Sequence, residues 1–161
     1  MTPSEADVTL EGLRNPIRTR GDSEQIEKGL EFMPKFDGAG LIPCITQDAE
    51  TLNVLMFAFM NEQALRLTIS TGFAHYYSRS RGKLWKKGET SGHLQKVLAV
   101  RVDCDQDVLL LRVEQTEAAC HVGYRSCFFR ELDKIGEYTD GSLRVVEVAP
   151  VFDPSSVYGK T

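Results

Sequence analysis

The sequence predicts an α+β fold, mostly β, with one clearly marked helix. Apolar stretches of strand length recur between Leu41 and Arg130, separated by turn residues. A single stretch after Asn61 carries helical spacing with a capping residue at each end. No apolar run approaches a membrane span, since the best one, Val54 to Met60, is strand-length.

Residues 1–35 show no sustained period and hold Pro3, Pro16, Gly21, Gly29 and Pro34 among scattered charges. They read as an N-terminal extension, either mobile or packing late. The core domain, residues 36–132, opens at Phe36-Asp37-Gly38. Leu41 to Gln47 reads as a strand, Asp48 to Leu52 as a turn, and Asn53 to Met60 as a second strand. The second strand is apolar on both faces, which places it centrally in a sheet. Asn61 suits an N-cap, and Glu62 suits the positive end of the helix dipole. Ala64, Leu65, Thr68 and Ile69 then recur on one helical face, and Gly72 ends the helix in a left-handed turn.

Phe73 to Ser78 is rich in aromatics and reads as a strand. Gly82 to Gly92 reads as a loop. Leu94 to Asp103 and Val108 to Gln115 read as a hairpin across Asp105-Gln106-Asp107. Cys127 to Arg130 reads as a last short strand. Residues 133–161, with Pro150 and Pro154, read as a peripheral C-terminal tail.

A chain of 161 residues with 42% apolar content supports one domain with a real core. Its formal net charge of −4 gives no general pull toward nucleic acid or an anionic membrane. Residues 1–29 lack the apolar stretch of a secretory signal. The four cysteines are therefore expected in a reducing cytoplasm, where metal binding or catalysis is a better reading than disulfides.

The densest chemistry lies in Asp103-Cys104-Asp105-Gln106-Asp107, followed by Cys120-His121 and Cys127. On an extended chain Cys104 points away from Asp103 and Asp105. Asp107 can rejoin them if the chain stays extended or fold over them if it turns, and either way two separate ions are favoured over one mixed site. Carboxylates with retained waters suit magnesium. Three thiolates from Cys104, Cys120 and Cys127 suit zinc with a fourth position open. The chain has no Cys-x-x-Cys pair, which argues for an open catalytic site over a closed structural one. An open zinc lowers the pKa of its water and supplies hydroxide. Blander readings exist for each part. A buried cysteine is often a small hydrophobe, as Cys44 is expected to be, and an Asp-rich bend is often a capped turn.

From Arg79 to Lys87 the chain carries five basic residues and no acid. Alternating Ser and Arg donors match phosphate oxygens, and Gly82 and Gly88 permit close backbone approach. On charge alone a solvated basic loop is the simpler reading. Trp85 suits either stacking on a base or packing in the core. His121 differs from His75 and His93 because it follows a candidate zinc ligand directly, where it can exchange protons with a zinc-bound water.

Several motifs then match one family in order: Tyr77-Ser78-Arg79-Ser80-Arg81, Leu84 to Gly92, Asp103 to Asp107, Cys120-His121-x-Gly123, and Arg125-Ser126-Cys127-Phe128. Over about Phe36 to Arg130 the chain resembles phosphoribosyl-AMP cyclohydrolase, in a monofunctional form. The resemblance implies a small β pseudo-barrel capped by a helix, with strands shared across a homodimer. It implies zinc on Cys104, Cys120 and Cys127, drawn from both subunits, and magnesium on Asp103, Asp105 and Asp107. His121 is the expected catalytic residue. Arg79, Ser80, Arg81, Trp85, Lys86, Lys87, Glu89, Ser91, Arg125 and Ser126 are the expected contacts to a phosphorylated nucleotide. His93 stands where many relatives carry asparagine.

The implied reaction is hydrolytic opening of the N1–C6 bond of the adenine ring in 1-(5-phosphoribosyl)-AMP. Two rivals stand beside it. A zinc nucleoside deaminase needs His-x-Glu and Pro-Cys-x-x-Cys, and neither occurs. A zinc-stabilised module that holds nucleic acid through the basic loop would need a closed zinc site, and the acidic net charge speaks against it.

Overall fold

A computed structural model describes residues 15–136 and 141–159. The elements are α1 (Ser23–Lys28), β1 (Leu41–Asp48), β2 (Val54–Asn61), α2 (Glu62–Thr71), β3 (His75–Ser78), β4 (Lys83–Lys86), β5 (Gln95–Val102), β6 (Leu109–Gln115), β7 (Arg130–Leu132), β8 (Leu143–Val145) and α3 (Pro154–Tyr158). Six strands form one sheet in the order β4-β3-β2-β1-β6-β5, and β7 and β8 form a separate ribbon. Neighbours in the large sheet are antiparallel except β1 and β6, which run parallel. As its apolar composition predicts, β2 lies inside the sheet.

The sheet curls on itself. A bridge joins Phe73 to Lys96, Ala74 N–H donates to Gln95 O at 3.0 Å, and Val97 N–H donates to Gly72 O at 2.8 Å. These contacts bring the start of β5 to the start of β3, giving a half-barrel. Ile42, Leu55, Met60, Leu65, Tyr76, Leu109, Leu111 and Val113 fill its core. Each fully buried aliphatic side chain there contributes about 1.5–3 kcal/mol.

Helix α2 forms as its sequence dictates. Asn61 accepts from Ala64 N–H at 2.8 Å, and Gly72 closes the helix at φ 75°. Its buried side packs on β2 and β3. Among the described residues no helix is long and apolar enough to cross a membrane.

Two expectations need correction. The expected loop from Gly82 to Gly92 contains β4, because Trp85 packs against the buried Tyr76 with ring centroids 5.1 Å apart. The last short strand starts at Arg130, not Cys127, since the Cys127 N–H donates to Leu55 O instead of entering a ladder. The tail after Leu132 has no buried residue among those described, yet it is attached to the domain: β8 pairs with β7, and the segment after it lies on the loop from Cys120 to Cys127.

The extension also has structure before Phe36. Ile17, Phe32 and Phe36 pack on the core, and Met33 is buried. The capping box of Asp22 and Gln25 starts α1. Expectations for residues 1–14 lie outside the described residues.

Candidate metal centre and substrate pocket

Strand β5 ends at Val102, and the chain turns at once. The Asp103 carboxylate accepts from the N–H groups of Asp107 and Val108, both at 3.0 Å, and Gln106 takes a left-handed φ of 59°. This turn, one of the two courses open to the sequence, gathers Asp103, Asp105 and Asp107 until their carboxylate oxygens lie within 4.8 Å of one another. Burial, then the Asp105 and Asp103 charges, raises the Asp107 carboxyl above its ordinary value. Such mutual repulsion is what a hard cation relieves, and three hard oxygens fit magnesium.

The turn is held from behind by residues that the sequence reading did not single out. Gln106 is 3% exposed. Its side chain accepts from Met33 N–H and donates to Ile26 O and Glu31 O. The Arg20 guanidinium reaches both Met33 O and Asp105 O. A glutamine between aspartates carries no sequence signal for this role, since its partners lie more than seventy residues away.

Cys120 and Cys127 meet at the other centre, on the loop that joins β6 to β7. Their thiols lie close enough to interact, and desolvation, followed by the Cys120 neighbour, pushes the Cys127 thiol up to about 12. Lys87 is 7% exposed and lies close enough to feel both sulfurs. Burial lowers its ammonium from the ordinary lysine value, while ionised Cys127 and Cys120 would draw it back up. Lys87 therefore sides with the thiols and not with the other basic residues. Soft donors beside a buried cation fit zinc, because the lysine offsets the negative charge of a thiolate set.

Cys104 is exposed beside the aspartate turn. Among the described residues, Cys104, Cys120 and Cys127 form no three-ligand group within one chain. Cys44 is buried in the core, its thiol also pushed up to about 12 by burial. His121 is exposed, next to Cys120.

The remaining expected contacts fall into two groups. Arg79, Ser80, Arg81 and Trp85 line an open pocket of about 450 Å³ with Phe57, Phe59 and Tyr77. The Arg79 guanidinium lies 4.1 Å from the Phe59 ring centre, and Arg81 is steadied by Ser78 Oγ at 3.3 Å. Lys86 lies over the Phe73 ring at 5.4 Å. Glu89 is exposed, and Ser91 Oγ accepts from His93 N–H. Gly88 sits at φ 84°, where a Cβ would come within 2.6 Å of the His93 carbonyl carbon. Only glycine lets that loop close on itself.

Arg125 and Ser126 lie on the cysteine loop. The Arg125 guanidinium donates to Asp48 at 2.7 Å and to Glu117 O at 2.8 Å, and Ser126 Oγ donates to Val54 O at 2.7 Å. Both side chains therefore brace the loop against the barrel.

A family model described as phosphoribosyl-AMP cyclohydrolase matches residues 56–129. A relative of that name in Rhodopseudomonas palustris (strain BisB5) is 53% identical over 141 residues, covering 85% of this chain and 92% of the relative. Another in Methanoregula boonei is 59% identical over 129 residues, covering 79% of this chain and 95% of the relative. A third in Nitrobacter hamburgensis is 51% identical over 142 residues, covering 88% and 96%.

Proposed function

Since the chain belongs to the phosphoribosyl-AMP cyclohydrolase family, we propose that it hydrolyses the N1–C6 bond of the adenine ring in 1-(5-phosphoribosyl)-AMP, a step of histidine biosynthesis. Water adds at C6, the N1–C6 bond breaks, and N1 leaves carrying a proton. The product is the formimino aminoimidazole carboxamide ribotide. The observation that carries the reading is the contact between Cys120 and Cys127 beside the buried Lys87.

Zinc held by these sulfurs supplies the acidity that makes water nucleophilic at neutral pH. Magnesium on Asp103, Asp105 and Asp107 supplies positive charge to orient a phosphate. Lys87 offsets the charge of the thiolates. His121 holds or moves the proton that passes to N1. Arg79, Ser80 and Arg81 grip a phosphate, and Trp85 packs against the purine. The free state of all four thiols supports a reducing compartment such as the cytoplasm.

The third sulfur comes from Cys104 of a second copy, in a homodimer. Two features support this. Among the described residues Cys104 forms no three-thiol group with the other two within one chain. It also follows the edge strand β5, whose Leu98 and Val102 face solvent at 52% and 37% exposure.

The test is complementation. Cys104→Ala and Cys120→Ala proteins should each lack ring-opening activity and zinc. Co-expressed, they should recover about a quarter of wild-type turnover, because half the dimers then hold one intact site of two. No recovery, in dimers shown to be mixed, would remove the shared site. Full wild-type activity in the presence of a chelator would remove zinc from the reaction.

A further inference from the structure

The C-terminal segment places one carboxylate against the cysteine loop. Glu147 accepts from Arg125 N–H at 3.0 Å and from Ser126 N–H at 2.9 Å. These are the two residues immediately before Cys127. We infer that Glu147 is a positioning residue for the cysteine pair, and that residues 143–152 form a strap across the site.

Three observations carry this. A single carboxylate receives two consecutive backbone N–H groups, an arrangement with two charge-assisted bonds and a fixed geometry. Ser126 is 7% exposed, so without Glu147 its N–H would lose its partner in a place water barely reaches. The other side of the loop is already tied down, because Ser126 Oγ donates to Val54 O and Cys127 N–H donates to Leu55 O, both at 2.7 Å. Cys127 is thus clamped between the start of β2 and the strap.

The strap also touches the loop twice more. Val151 N–H donates to Gly123 O at 2.8 Å. Gly123, at φ 101°, lies so close to the strap that a Cβ would sit 2.5 Å from Phe152 O. The Phe152 ring then meets His93 edge-on, with centroids 4.6 Å apart. His93 closes the glycine loop that follows Lys87. One segment therefore spans the thiols and the loop bearing their neighbouring cation. The family model stops at residue 129, before the strap begins.

The inference rests on the zinc reading of Cys120 and Cys127, and the experiment separates the two. Zinc affinity is measured by competition with a chromophoric chelator, and amide hydrogen exchange is read on the full-length zinc-free protein. Supports of this kind behind metal ligands are worth about 10–100-fold in metal affinity. Glu147→Ala should weaken zinc binding by that factor. It should speed exchange at the Arg125 and Ser126 amides at least about tenfold, while the barrel amides of Ile42 and Leu111 keep wild-type protection. Glu147→Gln keeps the shape and one acceptor oxygen, so it should fall between the two. It also carries the test if the alanine protein does not fold.

Wild-type zinc affinity together with wild-type protection at Arg125 and Ser126 in both variants would overturn the strap. So would a loss of protection that spreads equally to the barrel, because Glu147 would then only add stability. If the wild-type protein itself takes up no zinc, the zinc reading fails, while the exchange rates still decide the strap.

Discussion

The Gln106 side chain accepts a hydrogen bond from the Met33 backbone at 2.8 Å, tying the aspartate turn to the N-terminal arm. The same side chain donates to Ile26 O and Glu31 O. The arm and the turn therefore hold each other. The left-handed backbone at Gln106 aims this side chain inward while its aspartate neighbours gather outside.

Gln106→Ala removes three hydrogen bonds and leaves the Met33 N–H unpaired at a buried position. It should cost about 2–3 kcal/mol in urea unfolding. It should also raise the magnesium concentration needed for activity, because the turn is no longer held from behind. Tryptic cleavage after Lys35 should become faster. An unchanged cleavage rate would mean that the arm does not depend on this contact.

Zinc binding should depend steeply on pH. The Cys127 thiol, pushed up to about 12 by desolvation and by Cys120, is protonated at neutral pH in the metal-free protein. Coordination must then expel that proton. Apparent zinc affinity should rise with pH, by about tenfold per unit for each proton released. Titration calorimetry in buffers of different ionisation enthalpy counts the protons directly. A flat affinity between pH 6 and 8 would contradict the raised thiol.

Asp48 should contribute to stability in a pH-dependent way. Burial opposes its charge. The Thr51 N–H, the Arg125 guanidinium and the Glu50 N–H outweigh that and lower its carboxyl below the ordinary value. A lowered native value means that the contribution is complete above the unfolded value, about 3.9, and is lost as pH falls through the native one. Asp48→Asn should cost about 2 kcal/mol at pH 7. The gap between variant and wild type should close below about pH 4. A gap that stays constant down to pH 2 would show that shape and not charge is at work.

Much of the architecture was legible in local chemistry. Asn61 and Gly72 bound their helix as cap and left-handed stop, and the doubly apolar Val54 to Met60 became an inner strand. These signals act over a few residues, so the chain states them directly. The strand Lys83–Lys86 was hidden because its composition is that of a basic loop, and only pairing with His75–Ser78 makes it a strand.

The site divides along the same line. The residue types of both candidate centres were readable, since thiols and carboxylates declare their chemistry wherever they lie. The supports were not. Gln106, Glu147 and the buried setting of Lys87 carry no local pattern, and their partners come from distant parts of the chain.

By itself, then, the sequence determined the element types around Asn61 and Gly72, the two donor chemistries and the family. Tertiary structure alone decided that the aspartate turn is backed by the N-terminal arm, that Cys104 forms no three-thiol group with Cys120 and Cys127 within one chain, and that the tail lies on the cysteine loop. The reason is range. Propensities, caps and donor chemistry are properties of neighbours along the chain, whereas convergence and bracing depend on which surfaces the curled sheet brings within a few ångströms.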